Sequence, residues 1–531
     1  MTTVEDEAGL AALAAALAGS AAKLSQPERR LVSKKATVDP ALLDDVRAQI
    51  QAGYDPLGTL FCQLRSPVTR REKGAVYTPA IIVDAMIAWA RAHQATPARL
   101  VDPGSGSGRF LMAAAAAFPA AQLVAVEIDP LACLLLRANA AVLGFTSRLT
   151  IMLDDYRNIT LPEVDGPTLF LGNPPYVRHH DIPENWKSWL AATATAFGFK
   201  ASKLAGLHIH FFIKTRQLAR PGDFGAFITS AEWIDVNYGS VLRKLLANGL
   251  GGVALHVLDA RAQPFADAQT TGAVTCFQVG EHADGLAIRH VDALDGLTLT
   301  DPAERVPWAT LEASPRWSVH IRKSAPPAAG WIELGELFRV SRGQVTGSND
   351  VWIAGAHAAQ LPEKFLVPTI TKARELIEAG TILAKTTSLK RVIDLPADLT
   401  GLPDVERQAI EYFLAWAKRQ GAHLTYVASH RRAWWSVSLY EPAPILCTYM
   451  ARRAPVFVRN RVKARHLNIA HGLYPREKMN VATQDAVCRF LRENVGVEGG
   501  RTYAGGLTKF EPREVERLYI PGPDQLEAWI R

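Results

Sequence analysis

The feature that most constrains this chain is an alternation. From about Gly74 to Val279, short runs of β-branched or apolar residues are separated by stretches long enough to form a helix. Strands spaced in this way cannot pair through tight hairpins. They return by crossovers, which gives a parallel sheet with helices on both faces. Arg99-Leu100-Val101-Asp102, Leu123-Val124-Ala125-Val126, Leu149-Thr150-Ile151-Met152 and Thr168-Leu169-Phe170-Leu171 are predicted as the first four strands, with Gly225-Ala226-Phe227-Ile228 and Val274-Thr275-Cys276-Phe277 later. The expected fold class is α/β, doubly wound and mostly parallel.

The same pattern divides the rest of the chain. Residues 1–70 carry helical segments without strands, 71–300 the alternating core, 301–330 a linker that includes Ser324-Ala325-Pro326-Pro327-Ala328-Ala329-Gly330, and 331–531 a mixed α/β domain rich in Trp and Arg. The Ala/Leu run over residues 9–22 follows Glu5, Asp6 and Glu7, the reverse of a signal peptide's basic start, so it is read as a helix. No stretch reaches the ~20 apolar residues that span a bilayer, so a soluble protein is expected. Cys62, Cys133, Cys276, Cys447 and Cys488 are scattered without CxxC or Cys/His pairing. Neither a disulfide framework nor a metal site is expected, and a reducing cytoplasm fits best. Residues 1–330 balance at 31 basic and 31 acidic side chains, whereas 331–531 hold 28 basic against 21 acidic, so the whole surplus of +7 is C-terminal. Nucleic-acid contacts are expected there.

Two loops carry chemistry. Val101-Asp102-Pro103-Gly104-Ser105-Gly106-Ser107-Gly108-Arg109-Phe110 leaves the first predicted strand and enters an alanine-rich helix. Gly104, Gly106 and Gly108 allow a tight turn and close approach to a ligand, while Asp102 would repel a pyrophosphate and favours a cationic or zwitterionic cofactor. Glu127 ends the next strand, where a carboxylate accepts both hydroxyls of a ribose; Asp155 and Tyr156 close the third, an acceptor for an adenine amine beside an aromatic surface. Asn173-Pro174-Pro175-Tyr176 follows the fourth strand. An exocyclic adenine amine is a poor nucleophile because its lone pair is delocalised into the ring. The amide oxygen of Asn173 and the carbonyl of Pro174 can accept its two N–H groups and localise that pair, with proline fixing the acceptors in place. Tyr176 offers a face on which an extruded base stacks.

This ordered set resembles the gamma class of N6-adenine DNA methyltransferases, the TaqI-type enzymes of type II restriction–modification systems, over nearly the whole chain. Gly74-Ala75-Val76-Tyr77-Thr78-Pro79 resembles that class's N-terminal cofactor motif, and residues 102–108 its Asp-Pro-Ala-Cys-Gly-Ser-Gly loop, departing at Gly104 and Ser105. The resemblance implies a class I methyltransferase fold with S-adenosylmethionine as cofactor. It implies cofactor contacts at Tyr77, Thr78, Pro79, Asp102, Gly104, Gly106, Gly108, Glu127, Asp155 and Tyr156, and target-base contacts at Asn173, Pro174, Pro175 and Tyr176. Phe265 resembles the class's second base-stacking aromatic, though a core phenylalanine is an equal reading. Asn237-Tyr238-Gly239-Ser240-Val241-Leu242-Arg243 resembles a helix of the family, with plain sheet packing as the favoured reading.

Ser341-Arg342-Gly343-Gln344-Val345-Thr346-Gly347-Ser348-Asn349-Asp350 is similar to the Gly-x-x-Thr-Gly-x-Asn turn that opens the target-recognition domain of many of these enzymes. Arg431, Arg432, Arg452, Arg453, Arg459, Arg461, Lys463 and Arg465 are the expected DNA contacts, since such clusters supply phosphate contacts and guanine readout. Thr508-Lys509-Phe510-Glu511-Pro512 also resembles family members and reads as structural; the C-terminal half is similar to the XhoI-like modification methylases. The implied partners are double-stranded DNA and a cognate restriction endonuclease on a separate chain, with the methyltransferase as a cytoplasmic monomer. Three rivals stay open: methylation of RNA or of a protein glutamine amide, a catalytically silent specificity subunit, and a fused nuclease, for which residues 1–70 are too few.

Overall fold

A computed structural model describes residues 4–20, 22–32, 38–65, 78–93, 96–259, 262, 264, 271–281, 283–301, 303–321, 329–451, 453–496, 501–503, 507–526 and 529. The chain forms two compact units, Met1–Ser324 and Ala325–Tyr503 with Leu507–Arg531.

The first unit is built on a nine-stranded sheet: β1 Arg99–Pro103, β2 Gln122–Glu127, β3 Leu149–Leu153, β4 Thr168–Gly172, β5 Phe224–Ser230, β6 Gly252–Leu258, β7 Gly272–Gln278, β8 Gly285–Val291 and β9 Glu304–Pro307. Their order is β3-β2-β1-β4-β5-β7-β6-β8-β9. β1 to β5 pair in parallel, β7 is inserted antiparallel between β5 and β6, and β9 runs antiparallel to β8 at the edge. β1 and β4 are buried at every position, as parallel strands covered on both faces must be. Alternate residues feed two cores. Leu100, Leu123 and Leu169 pack with helices Ala80–Ala92 and Arg109–Ala117, while Val101, Val124 and Phe170 pack with helices Leu207–Leu218 and Ser240–Asn248.

The sheet extends beyond residue 300. β9, helix Trp308–Ala313 and the buried Trp317 belong to the same core, so the expected boundary at 300 is corrected: residues 304–317 complete the first unit. The N-terminal segment is helical, as Glu7–Ala18, Gln26–Leu31, Pro40–Gln51 and Pro56–Leu64. Leu10, Leu13, Leu17, Val46, Ile50, Leu57 and Phe61 bury themselves against Leu131, Leu134, Leu135 and Ala138 of helix Pro130–Val142. That helix is therefore covered on both sides, which is why it is apolar nearly all round.

The second unit centres on a five-stranded sheet in the order Phe338–Arg342, Ala470–Pro475, Ile445–Thr448, Phe457–Asn460 and Ile382–Leu383, with smaller sheets and the helices Asp404–Arg419 and Val481–Asn494. Among the described residues no helix is long and apolar enough to cross a membrane.

Candidate active site

Strand order reverses between β1 and β4, and ligands of doubly wound sheets sit outside the carboxyl ends of the strands at such a switch. A cavity lies there, lined by Thr78, Gly104, Gly106, Glu127, Asp155, Tyr156, Asn173 and Pro175 among others. Residues from five separate predicted sequence features thus line one cavity.

The loop after β1 turns through φ of 75° at Gly104, 53° at Gly106 and 91° at Gly108. A Cβ at Gly108 would stand 2.2 Å from Leu136 Cδ1, so glycine is what lets this turn pack against helix Pro130–Val142. Asp102 is fully buried, and neither oxygen of its carboxylate has a hydrogen-bond partner among the described residues. A Cβ on Gly172, the residue before Asn173, would come within 2.8 Å of Asp102 Oδ1. The carboxylate therefore lies between the glycine loop and the start of the Asn173 loop. Burial, with the nearby charge of Glu127, pushes it well above the usual carboxylate range. A buried carboxylate in this condition fits a cationic ligand and rejects an anionic one.

Glu127 accepts backbone N–H groups from Gly106 at 2.9 Å, Ile128 at 2.8 Å and Asp129 at 2.9 Å, which ties the tip of the glycine loop to the end of β2. Desolvation raises its pKa against the lowering effect of these bonds. Asp155 has a partner the sequence reading did not name. Arg157 grips it through Nε at 2.8 Å and Nη2 at 2.5 Å, and stacks its guanidinium 3.9 Å from the Trp186 ring centroid. Burial raises the Asp155 carboxyl, but the Arg157 hydrogen bonds and charge outweigh it and leave the pKa lowered. It is an ionised acceptor. Tyr156 is buried, its hydroxyl 3.0 Å from Thr215 Oγ1 and its ring 5.0 Å from Phe211, another cavity residue.

In the Asn173 loop, Nδ2 of Asn173 donates to Thr78 Oγ1 at 3.1 Å. Pro174 is buried, and Pro175 abuts the glycine loop, 3.5 Å from where a Cβ on Gly104 would stand. Tyr176 is half-buried and donates its hydroxyl to the Ile228 carbonyl at 3.4 Å. Pro79 occupies the N-cap position of helix Ala80–Ala92. Tyr77, with residues 74–76, and Phe265 lie outside the described residues. The sequence reading missed one wall entirely: Phe61 and Arg65, at the end of helix Pro56–Leu64, line the cavity beside Arg109. Arg65 pairs with Asp129 and with Glu7, partners 64 and 58 residues away, which no local pattern could reveal.

Among the C-terminal cations, Arg432, Arg453 and Lys463 are exposed. Arg431 donates to the Val345 carbonyl at 2.6 Å, Arg461 reaches Asp485 at 2.6 Å, and Arg465 pairs with Glu441 at 3.0 Å. Arg459 is a correction: it is 5 % exposed, bonded to Asp485 at 2.5 Å and to the Pro444 carbonyl, and so braces the unit's interior instead of facing a phosphate. Arg452 lies outside the described residues. In the turn of residues 341–350, Thr346 Oγ1 donates to Asn349 Oδ1 at 2.6 Å and Gly347 has φ 85°.

A parallel sheet with one reversed strand inserted between β5 and β6, a glycine loop beside a buried carboxylate, and acidic residues at successive strand ends define a class I S-adenosylmethionine-dependent methyltransferase. The chain is 52% identical to the type II methyltransferase M.XamI of Xanthomonas campestris pv. amaranthicola, over 99% of this chain and 100% of that one. It belongs to the type II methyltransferases of restriction–modification systems, DNA methylases that depend on S-adenosylmethionine. Residues 168–253 match the family model of the Eco57I restriction-modification methylase, and residues 322–529 that of the C-terminal domain of the type II methyltransferase M.Eco57I. The type II methyltransferase M.AccI of Acinetobacter calcoaceticus is 22% identical over 84% of this chain and 85% of its own. Among solved structures, that of the type IIG restriction endonuclease BpuSI is similar over 98% of this chain and 71% of its own, with 14% identity and a TM-score of 0.48.

Proposed function

We propose that this methylase acts on the exocyclic N6 of an adenine extruded from duplex DNA, with Asn173, Pro174, Pro175 and Tyr176 receiving the base. The observation that carries the reading is the convergence of Asn173 and Pro175 on the cavity that also holds the glycine loop, Glu127 and Asp155. A target amine at Asn173 would sit one loop away from the buried Asp102 carboxylate.

When bound, S-adenosylmethionine supplies an electrophilic methyl group on a sulfonium. Glu127 and Asp155 would hold its nucleoside, and Asp102 offers the negative charge that balances the cation. Asn173 and the carbonyl of Pro174 accept the two hydrogens of the amine, so that its lone pair leaves conjugation with the ring and faces the methyl. Tyr176 stacks on the base, and the unstacking cost is a few kcal/mol. Duplex DNA is favoured over RNA or a glutamine amide because the likeness to M.XamI spans both chains almost end to end, including the basic C-terminal residues 331–531. Arg431, Arg432, Arg452, Arg453, Arg461, Lys463 and Arg465 are proposed to contact that DNA, and a restriction endonuclease on a separate chain is proposed to share the site.

Host DNA sequenced with modification-sensitive reads after expression tests the base. N6-methyladenine in one short context is expected, and N4-methylcytosine or unmodified DNA overturns the assignment. Asn173→Ala is expected to lower methyl transfer by at least ~10²-fold, the cost of losing one preorganised partner, with S-adenosylmethionine binding retained.

A further inference from the structure

Asp55 sits in the N-terminal helical layer, 118 positions before Asn173 in sequence, and caps helix Pro56–Leu64 by accepting the Gly58 N–H at 2.9 Å through Oδ1. A capping carboxylate needs no further partner. Here the side chain is only 5 % exposed, and its other oxygen accepts from Ser107 Oγ at 2.6 Å and Arg109 Nε at 2.9 Å, both in the glycine loop and the helix it enters. Arg109 passes the connection on: its Nη1 donates to the Thr78 carbonyl at 3.0 Å. Thr78, itself buried, accepts Asn173 Nδ2 on its hydroxyl at 3.1 Å. A run of hydrogen bonds therefore leads from Asp55 through Arg109 and Thr78 to Asn173.

The chemistry of a carboxamide gives this run a consequence. Its oxygen and nitrogen lie in one plane on opposite sides of the Cβ–Cγ bond, and rotation about χ2 is soft, so whatever holds the nitrogen aims the oxygen. Thr78 holds the nitrogen. Thr78 is in turn held by Arg109, whose guanidinium stays in place because Asp55 balances its charge in a poorly solvated position.

We propose that Asp55 is a positioning residue for methyl transfer, which through Arg109 and Thr78 sets the orientation of the Asn173 carboxamide and makes the N-terminal helices part of the active site. The inference rests on the assignment of Asn173 as acceptor of the target amine. Cofactor binding is affected less than turnover, because the glycine loop keeps its own tie to Glu127 through the Gly106 N–H.

The test compares wild type, Asp55→Asn, Thr78→Val, the double variant and Asn173→Ala in the full chain, well below each variant's Tm. Single-turnover methyl transfer is expected to fall about tenfold or more for Asp55→Asn, while its Kd for S-adenosylmethionine, read by calorimetry without DNA, moves by less than about threefold. The double variant is expected to be no slower than the slower single, since both break one connected run. If Asp55→Asn does not fold, Asp55→Ser, which keeps a helix-capping oxygen and removes the charge, carries the same expectations. A wild-type rate in folded Asp55→Asn, a loss confined to Kd, or losses that multiply in the double variant overturns the inference. Full activity in Asn173→Ala instead overturns the assignment of Asn173, whatever Asp55→Asn does.

Discussion

Asp102 shows how far a single side chain can be read and where reading stops. Its place before the glycine loop and its sign were visible in the sequence; its burial, and the absence of a partner among the described residues, were not. These add a linkage. Burial favours the protonated form in the cofactor-free protein, and a cation beside the group favours the carboxylate, so cofactor binding is expected to release a proton. Affinity for S-adenosylmethionine is therefore expected to fall as pH is lowered through the raised value of the free protein. Calorimetry in two buffers of different ionisation enthalpy measures the protons released. Uptake of protons, or an unchanged release in Asp102→Asn, would show that another group carries the linkage. Asp155 makes the complementary point: Arg157 lies only two residues on, but local spacing alone does not distinguish a held carboxylate from a free one, and the fold shows that Arg157 holds it.

At the scale of elements, β1, β2 and β4 were legible because parallel strands covered on both faces must be short apolar runs, while β3, an edge strand with no fully buried residue, was legible by its apolar and β-branched run alone. β6, β8 and β9 were not predicted as strands. β6 opens on a register shift between Gly252 and Ala254, β9 is a four-residue edge strand, and β8 beside it is interrupted by the charged and polar pair Arg289 and His290. The arginine cluster of residues 459–465 misled for a related reason. Strand Phe457–Asn460 is buried throughout, and its neutralising Asp485 lies 26 residues away on helix Val481–Asn494. A charge run in sequence therefore splits into inward and outward members in space. Arg459→Ala is expected to destabilise the C-terminal unit by about 1–3 kcal/mol, the cost of the lost hydrogen bonds and packing of a buried side chain, because Asp485 is partly exposed and keeps Arg461, and the salt dependence of DNA binding should not change. Arg432→Ala and Lys463→Ala, at exposed positions, should each lower the slope of log K against log salt by about one and leave the urea midpoint unchanged. A slope that drops with Arg459 but not with Arg432 or Lys463 would move the DNA surface elsewhere.

Taken whole, the molecule stores an acid sensitivity that neither the site nor the DNA surface requires. His208, His210 and His256 are buried in the first unit, and His466 and His471 in the second. Burial lowers His208, His256, His466 and His471 to about 4 and His210 to about 3, the last also under the charge of Arg157. Folded, these rings stay neutral; unfolded, each takes up a proton near pH 6.5. The unfolded chain therefore binds more protons between about pH 6.5 and 4, and stability falls as pH falls through that window, by up to about 1.4 kcal/mol per pH unit for each histidine. Most carboxylates titrate below the upper half of this range, so a decline between pH 6.5 and 5 reports the histidines. Urea unfolding at pH 7 and pH 5 is expected to show a lower midpoint at pH 5 for both units, with the buried carboxyls Asp102 and Glu127, raised in the folded chain, offsetting part of the loss in the first. His210→Phe keeps an aromatic ring against Trp189, whose centroid lies 5.9 Å away, and removes one proton-binding group. It should shrink the pH 7 to pH 5 difference of the first unit by about 2 kcal/mol and leave the second unchanged. A midpoint constant over this range would mean that the rings are charged in the folded chain, and their burial would then have to be solvated by some other route.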